Sequence, residues 1–430
     1  HMTEIFRFDG SFKASVILKD LAPFVPALSR FEEPLDLNLV FSGHGKHLDC
    51  PTLRLTNHHG LMIAGEAALS NWDAGMDMYI YGKLGNLTMT KEGINVLMTN
   101  LTGKVPPILQ RLDYIRFNGE AAGYLHDLTL TGLFYTGAGM VKTDVMMSID
   151  EQSMSRTYSG SVASADLDLG KLLNQEKKFG KVDFNVELKG FNYKNRYPES
   201  YIKGIISSFE YSQYQYENIM LDGVYKDGGF NGRLSMDDAN GSVQIDGNFN
   251  VAKTIPDFNL KASVKNLRPH DLHLSDKYEN ASISLGLTAD FTGKSIDDMN
   301  GRISLDSLQL NAPDEGGCFL DNLTITAGQV SGEKELRINS SFMTAVIRGD
   351  YSYHTIPASV VKTVQRYIPS LLTIKDNMPE PHNNFQFDIC LENAEVLSKL
   401  FQIPLELYLP ASLKGYFNDG EEKQIQWNTL

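Results

Sequence analysis

The residues able to do chemistry are few, and their spacing is wrong for it. Gly293-Lys294-Ser295 matches the end of a phosphate-binding loop. Such a loop needs a glycine five positions earlier for its tight turn, and Thr288 stands there. His44 and His47 flank the turn of HGKH, and His58 and His59 are adjacent. Neither pair has a glutamate or third ligand at a metal-binding spacing, so solvated loop histidines are expected. Asp166 and Asp168 in DLDLG lie too close to Gly170 for a calcium loop and suit a strand-to-helix junction. No serine sits in a nucleophile elbow. Cys50, Cys318 and Cys390 are far apart and odd in number, which suits small buried side chains. Carboxylates are plentiful, but none is marked out as a pair, so a carbohydrate-cleaving enzyme ranks last. The residues predict no enzyme, no catalytic residue, no metal site and no cofactor.

Composition narrows the partners. The chain has 430 residues, 39 basic and 53 acidic, for a net charge of −14. An acidic chain without a basic block does not suit nucleic acid. Broad electrostatic binding to anionic lipid surfaces is equally disfavoured. Length alone allows roughly three domains. No proline-, serine- or charge-rich linker divides it, so one repeating body is expected over residues 3–345, with a helix-containing segment over 346–430. His1-Met2 reads as a cloning remnant before a natural sequence that starts in mid-strand, so an excised fragment is expected. No run of 18 apolar residues would span a bilayer as a helix.

The elements that must position any site are strands. A leucine-rich, helix-like stretch followed by an alternating strand ending in glycine returns five times. The closing glycines are Gly43, Gly119, Gly190, Gly293 and Gly415, spaced by 76, 71, 103 and 122 residues. A repeat with variable inserts predicts an elongated stacked architecture. Period-2 alternation marks the strands. Phe6, Phe8 and Phe12 share one face, as do Leu35, Leu37, Leu39 and Phe41. Val182, Phe184, Val186 and Leu188 do the same, with Asp183, Asn185 and Glu187 opposite. Val243, Ile245 and Phe249 follow, then Ile283, Leu285, Leu287 and Phe291. Turn signals every 10 to 15 residues allow roughly 25 to 30 strands. Two helices are expected, over 358–372 and 392–401.

A sheet this long must hide its apolar face. It can close into a barrel, stack as a sandwich, or curve into a trough with an apolar lining. Sandwich modules of about 100 residues come with linkers, and none is visible. A barrel of 25 or more strands is a membrane object with aromatic girdles. Ordinary core remains the bland reading of any alternation.

The repeat unit, with the stretch from Leu221 to Leu267, resembles the TamB family in its Bacteroidetes-type form, within the AsmA-like group. The cues are LDGVYKDGGFNGRLSM, VQIDGNFNV and PDFNLKASVKNL, and the likeness is clearest from Val162 to Leu310. It implies an all-β, elongated, U-shaped antiparallel β-groove (a β-taco) with a few short helices. It further implies a periplasmic protein, held in the inner membrane by an N-terminal helix outside this fragment. The implied role is phospholipid transport between inner and outer membrane, with acyl chains in the groove. The alternative is an assembly module for outer-membrane proteins working with a BamA-like barrel partner. The seventeen residues from Phe6 to Phe291 named above as apolar, Leu35 apart, are the expected lining. The family supplies no catalytic residue.

Overall fold

The computed structural model describes residues 7–21, 29–150, 152–153, 155–192, 199–276, 279–313, 316–356, 359, 383–401, 410–419 and 424–429. The chain divides into two compact units, His1–Lys226 and Asp227–Leu430. Residue 345, where the sequence placed a boundary, lies inside a strand of the second unit. The helix expected over 358–372 lies outside the described residues apart from Ser359, and Phe6 lies outside them too.

Unit 1 is a meander of twelve strands. They are β1 (Arg7–Ile17), β2 (Pro34–His44), β3 (His47–Thr56), β4 (Leu61–Ser70), β5 (Tyr79–Thr90) and β6 (Tyr114–Tyr124). Then come β7 (Asp127–Thr136), β8 (Gly139–Ile149), β9 (Arg156–Asp168), β10 (Phe179–Asn192), β11 (Glu199–Tyr211) and β12 (Tyr214–Lys226). Each strand pairs antiparallel with the next. No pairing closes β12 back onto β1 among the described residues, so the sheet stays open.

Unit 2 repeats the plan with eleven strands. They are β13 (Gly229–Asp238), β14 (Gly241–Asn250), β15 (Asp257–Leu267), β16 (Ser282–Thr292), β17 (Asn300–Asn311) and β18 (Cys318–Val330). The last five are β19 (Glu333–Ser340), β20 (Met343–Asp350), β21 (Asn384–Leu391), β22 (Ala411–Asn418) and β23 (Gln424–Thr429). These also pair antiparallel in sequence order. The protein is thus all-β, built from open antiparallel sheet and a few short helices, and not closed into a barrel.

The four described α-helices are α1 (Lys91–Thr102), α2 (Pro107–Gln110), α3 (Leu169–Leu173) and α4 (Ala394–Phe401). Three of them fall within leucine-rich stretches of the repeat, whereas the longest, α1, precedes one and is not expected from the sequence. Thr90 caps α1 by accepting the Gly93 N–H at 3.2 Å, and Gly103 ends it at φ 77°. Asp168 caps α3 by accepting the Lys171 N–H at 2.8 Å, which is the junction read from DLDLG. Each of these four helices sits between an odd-numbered strand and the next even one, on one rim of its unit. The repeat glycines follow the same rule: they lie on β2, β6, β10 and β22, and directly after β16. The two shorter repeat spacings are therefore four strands and the two longer ones six.

At that rim of unit 1, α1 packs Ile94, 1 % exposed, against Leu112, Ile115 and Ala138. Met89, Phe134 and Leu172 surround them. Full burial of one such side chain contributes about 1.5–3 kcal/mol, enough to anchor a short helix.

Candidate functional site

The apolar face of each sheet is assembled by register. In β1 and β2, Phe8 faces Gly43, Phe12 faces Leu39 and Ala14 faces Leu37, while Gly10 faces Phe41. In β10, Leu188 lies between Gly160 and Ile202, Val186 between Val162 and Gly204, and Phe184 between Ser164 and Ile206. Val182 opposes Leu167 and Phe209 and is 3 % exposed. In unit 2, β15 joins the two predicted sets. Val243, Val264 and Leu285 form one cross-strand row, and Ile245, Ala262 and Leu287 the next. Phe249, Phe258 and Phe291 form a third, with Phe258 stacked on Phe291 at 4.7 Å. Ile283 opposes Leu267 at the helix rim. The structure therefore brings together Phe8, Phe12, Leu37, Leu39 and Phe41, separately the β10 set, and separately the β14 and β16 sets.

Most of these side chains are half-buried. Phe12 and Phe249 are more open, at 45 % and 39 % exposure. On the opposite face of β10, Asn185 and Glu187 are exposed as expected, but Asp183 is half-buried. The register slips on both sides of it, and its carboxylate holds the bulges. It accepts the Asp166 N–H and the Ser208 hydroxyl, the latter at 3.1 Å.

The expected lining holds large side chains alone, but small residues share the face. One row of unit 1 runs Ala67, Gly82, Ala121, and the next runs Gly65, Leu84, Gly119, Gly132. Across β4 to β7 these make a low strip between rows of larger residues: Leu69, Ile80 and Leu128 on one side, Ile63, Leu87, Phe117 and Phe134 on the other. A side chain at Gly82 would meet nothing within 4 Å. A Cβ at Gly65 would instead come within 2.1 Å of the Lys83 carbonyl oxygen, so close approach of the neighbouring backbone requires glycine there. Glycine at alternating strand positions was the available signal.

Polar groups on this face are few but specific. Lys334 and Asp297 meet at the rim of unit 2 at 3.4 Å, with 22 % and 23 % of their side chains exposed. Burial pushes the Asp297 carboxyl up, but bonds from the Tyr353 N–H, the Ser352 hydroxyl and Lys334 outweigh it and hold it below its ordinary range. Cys50 is buried, and burial pushes its thiol up. All three cysteines are free.

The histidines are tied down rather than loose. His59 contacts Glu92 at 2.8 Å and Glu33 at 3.3 Å, and the bond to Glu92 raises its pKa. His47 bonds the Ser70 hydroxyl at 2.6 Å through Nδ1 and Asp49 at 3.0 Å through Nε2. This serine–histidine–aspartate chain is a cross-strand brace: the His47 and Asp49 side chains are 33 % and 50 % exposed, in water rather than in a low-dielectric pocket. No group of three His, Cys, Asp or Glu residues could hold a metal ion among the described residues. A cavity of about 470 Å³ lies mainly on the opposite face of unit 1, where Met146, Lys189, Phe191, Tyr201 and Val224 line it, and none of the seventeen expected lining residues borders it.

No protein-family model, curated protein or solved structure matches this chain.

Proposed function

We propose that the apolar face is a binding surface for phospholipid acyl chains, in a TamB-like envelope protein that moves phospholipid across the periplasm between inner and outer membrane. The observation that supports this is the row pattern. Apolar residues continue in register from strand to strand, half-buried rather than sealed. Each acyl methylene removed from water gains about 0.8 kcal/mol without needing a fixed position, so such a surface can hold a chain that slides. Head groups would stay in water at the rims. No nucleotide or metal enters the scheme.

A second reading has one observation of its own. Among the described residues β1 (Arg7–Ile17) has a strand pairing on one edge, with β2. The outer edge of an end strand can take a strand from an outer-membrane client, beside a BamA-like barrel partner. Native mass spectrometry after gentle purification separates the two. Co-purified phospholipid supports the first reading; a bound strand-rich client with no lipid removes it and leaves the second.

A further inference from the structure

The apolar face of unit 2 changes character along the sheet. Across β13 to β16 it is a ladder of rings, Phe230, Phe249, Phe258 and Phe291, in register from strand to strand. From β17 onward the same row continues as Gly301, Ala327, Leu336 and Ile347. There the chain covers itself. Tyr351, directly after β20, folds onto this row and is 4 % exposed beside Leu336, Phe385 and Phe417, which are 8 %, 5 % and 2 % exposed. Tyr353, Ile356 and Met299 pack around them. At the other rim α4 places Val396 against Leu308, Leu320 and Phe342.

Three polar residues tie down the covering segment. Asp297 accepts the Ser352 hydroxyl at 2.8 Å and the Tyr353 N–H at 2.6 Å. Lys334 Nζ donates to the Tyr351 carbonyl at 3.0 Å and lies 4.6 and 4.5 Å from the Tyr351 and Tyr353 ring centroids. Asn383, 1 % exposed, accepts the Ser352 N–H at 3.0 Å and donates to the Ser359 hydroxyl at 2.8 Å and to Asp419 at 3.2 Å. A buried polar network satisfied in this way fixes one arrangement, because opening it strands each partner.

We infer that residues 351–356, with Ser359, are a built-in stopper. They close the apolar face over β18 to β21, so that a ligand on unit 2 reaches β13 to β16 but not the strands beyond, and the Asp297 and Asn383 ties set how often the stopper lifts. That the ligand is lipid rests on the reading above; the closure does not.

Single-cysteine reporters test it, in a background with Cys50, Cys318 and Cys390 replaced by alanine. Ala262→Cys lies on the open part of the face, and Ile338→Cys lies two residues along β19 from Leu336, packed against the cluster that Tyr351 covers. With a small apolar maleimide and no lipid present, Ala262→Cys should react at least about tenfold faster than Ile338→Cys. Adding Asp297→Asn and Ser352→Ala should speed labelling at Ile338→Cys by roughly tenfold and leave Ala262→Cys unchanged. Should that pair unfold unit 2, seen as loss of cooperative melting, hydrogen exchange of the intact protein at Leu336 and Ile338 replaces it, and slow exchange there is expected. Equal labelling at the two positions in the otherwise intact protein, or fast exchange at Leu336 and Ile338, overturns the stopper. Failure of lipid to bind would leave these results untouched.

Discussion

The far end of the Phe8 ring reaches over Gly43, its direct cross-strand partner: a Cβ at position 43 would stand 2.3 Å from the ring's Cζ. The first repeat glycine is thus needed by its neighbour's ring and not by a turn. Gly43→Ala should destabilise unit 1 by about 1–3 kcal/mol through overpacking. Phe8→Ala should abolish most of that penalty, giving a non-additive double-mutant cycle in urea unfolding. An additive cycle would mean that the glycine serves something else.

Charge placed on the apolar face should be felt far more than charge placed opposite. Leu285→Asp puts a carboxylate between Val264 and the rim cluster of Leu308 and Leu320. It should cost about 3 kcal/mol or more. Thr288→Asp, on the exposed face of the same strand, should change stability by less than about 0.5 kcal/mol. Equal effects in denaturant melts would show that the two faces are not distinct.

His59 couples α1 to the start of β2 through Glu92 and Glu33. Its pKa is raised, chiefly by the bond to Glu92. A raised pKa contributes stability that is complete below the unfolded value of 6.5 and is lost as pH climbs through the higher folded value. Amide exchange at the first turn of α1 should therefore accelerate between about pH 6 and about pH 8 beyond its intrinsic rise. In His59→Gln the extra acceleration should vanish. If both proteins follow the intrinsic rise alone, the histidine does not tie the helix down.

Much of the strand content could be read because its signal is local. Leu35 to Phe41 and Val182 to Leu188 alternate, and alternation assigns a face without knowing the partner strand. Asp168 announces α3 because a cap is also local. What could not be read depends on register or on distant contacts. Gly82 and Ala121 carry no hydrophobic signal, and only pairing aligns them. Asp183 looks solvent-facing until bulges on both neighbouring strands turn it into a brace. Lys334 and Asp297 are 37 residues apart in sequence and belong to different elements, so nothing local marks them as partners. The wholly buried Asn383 closes a network reaching back to Ser352, which no period or motif contains.

The central claim is that one face of this sheet meets lipid and the other meets water. Leu287 and Thr288 are adjacent in β16 and point to opposite faces. A photo-reactive amino acid at each position, irradiated in the presence of phospholipid vesicles, compares the two faces with a single-residue step. The account predicts lipid adducts at position 287 and few or none at 288. Equal adducts at both, or none at 287 in folded protein, would contradict it.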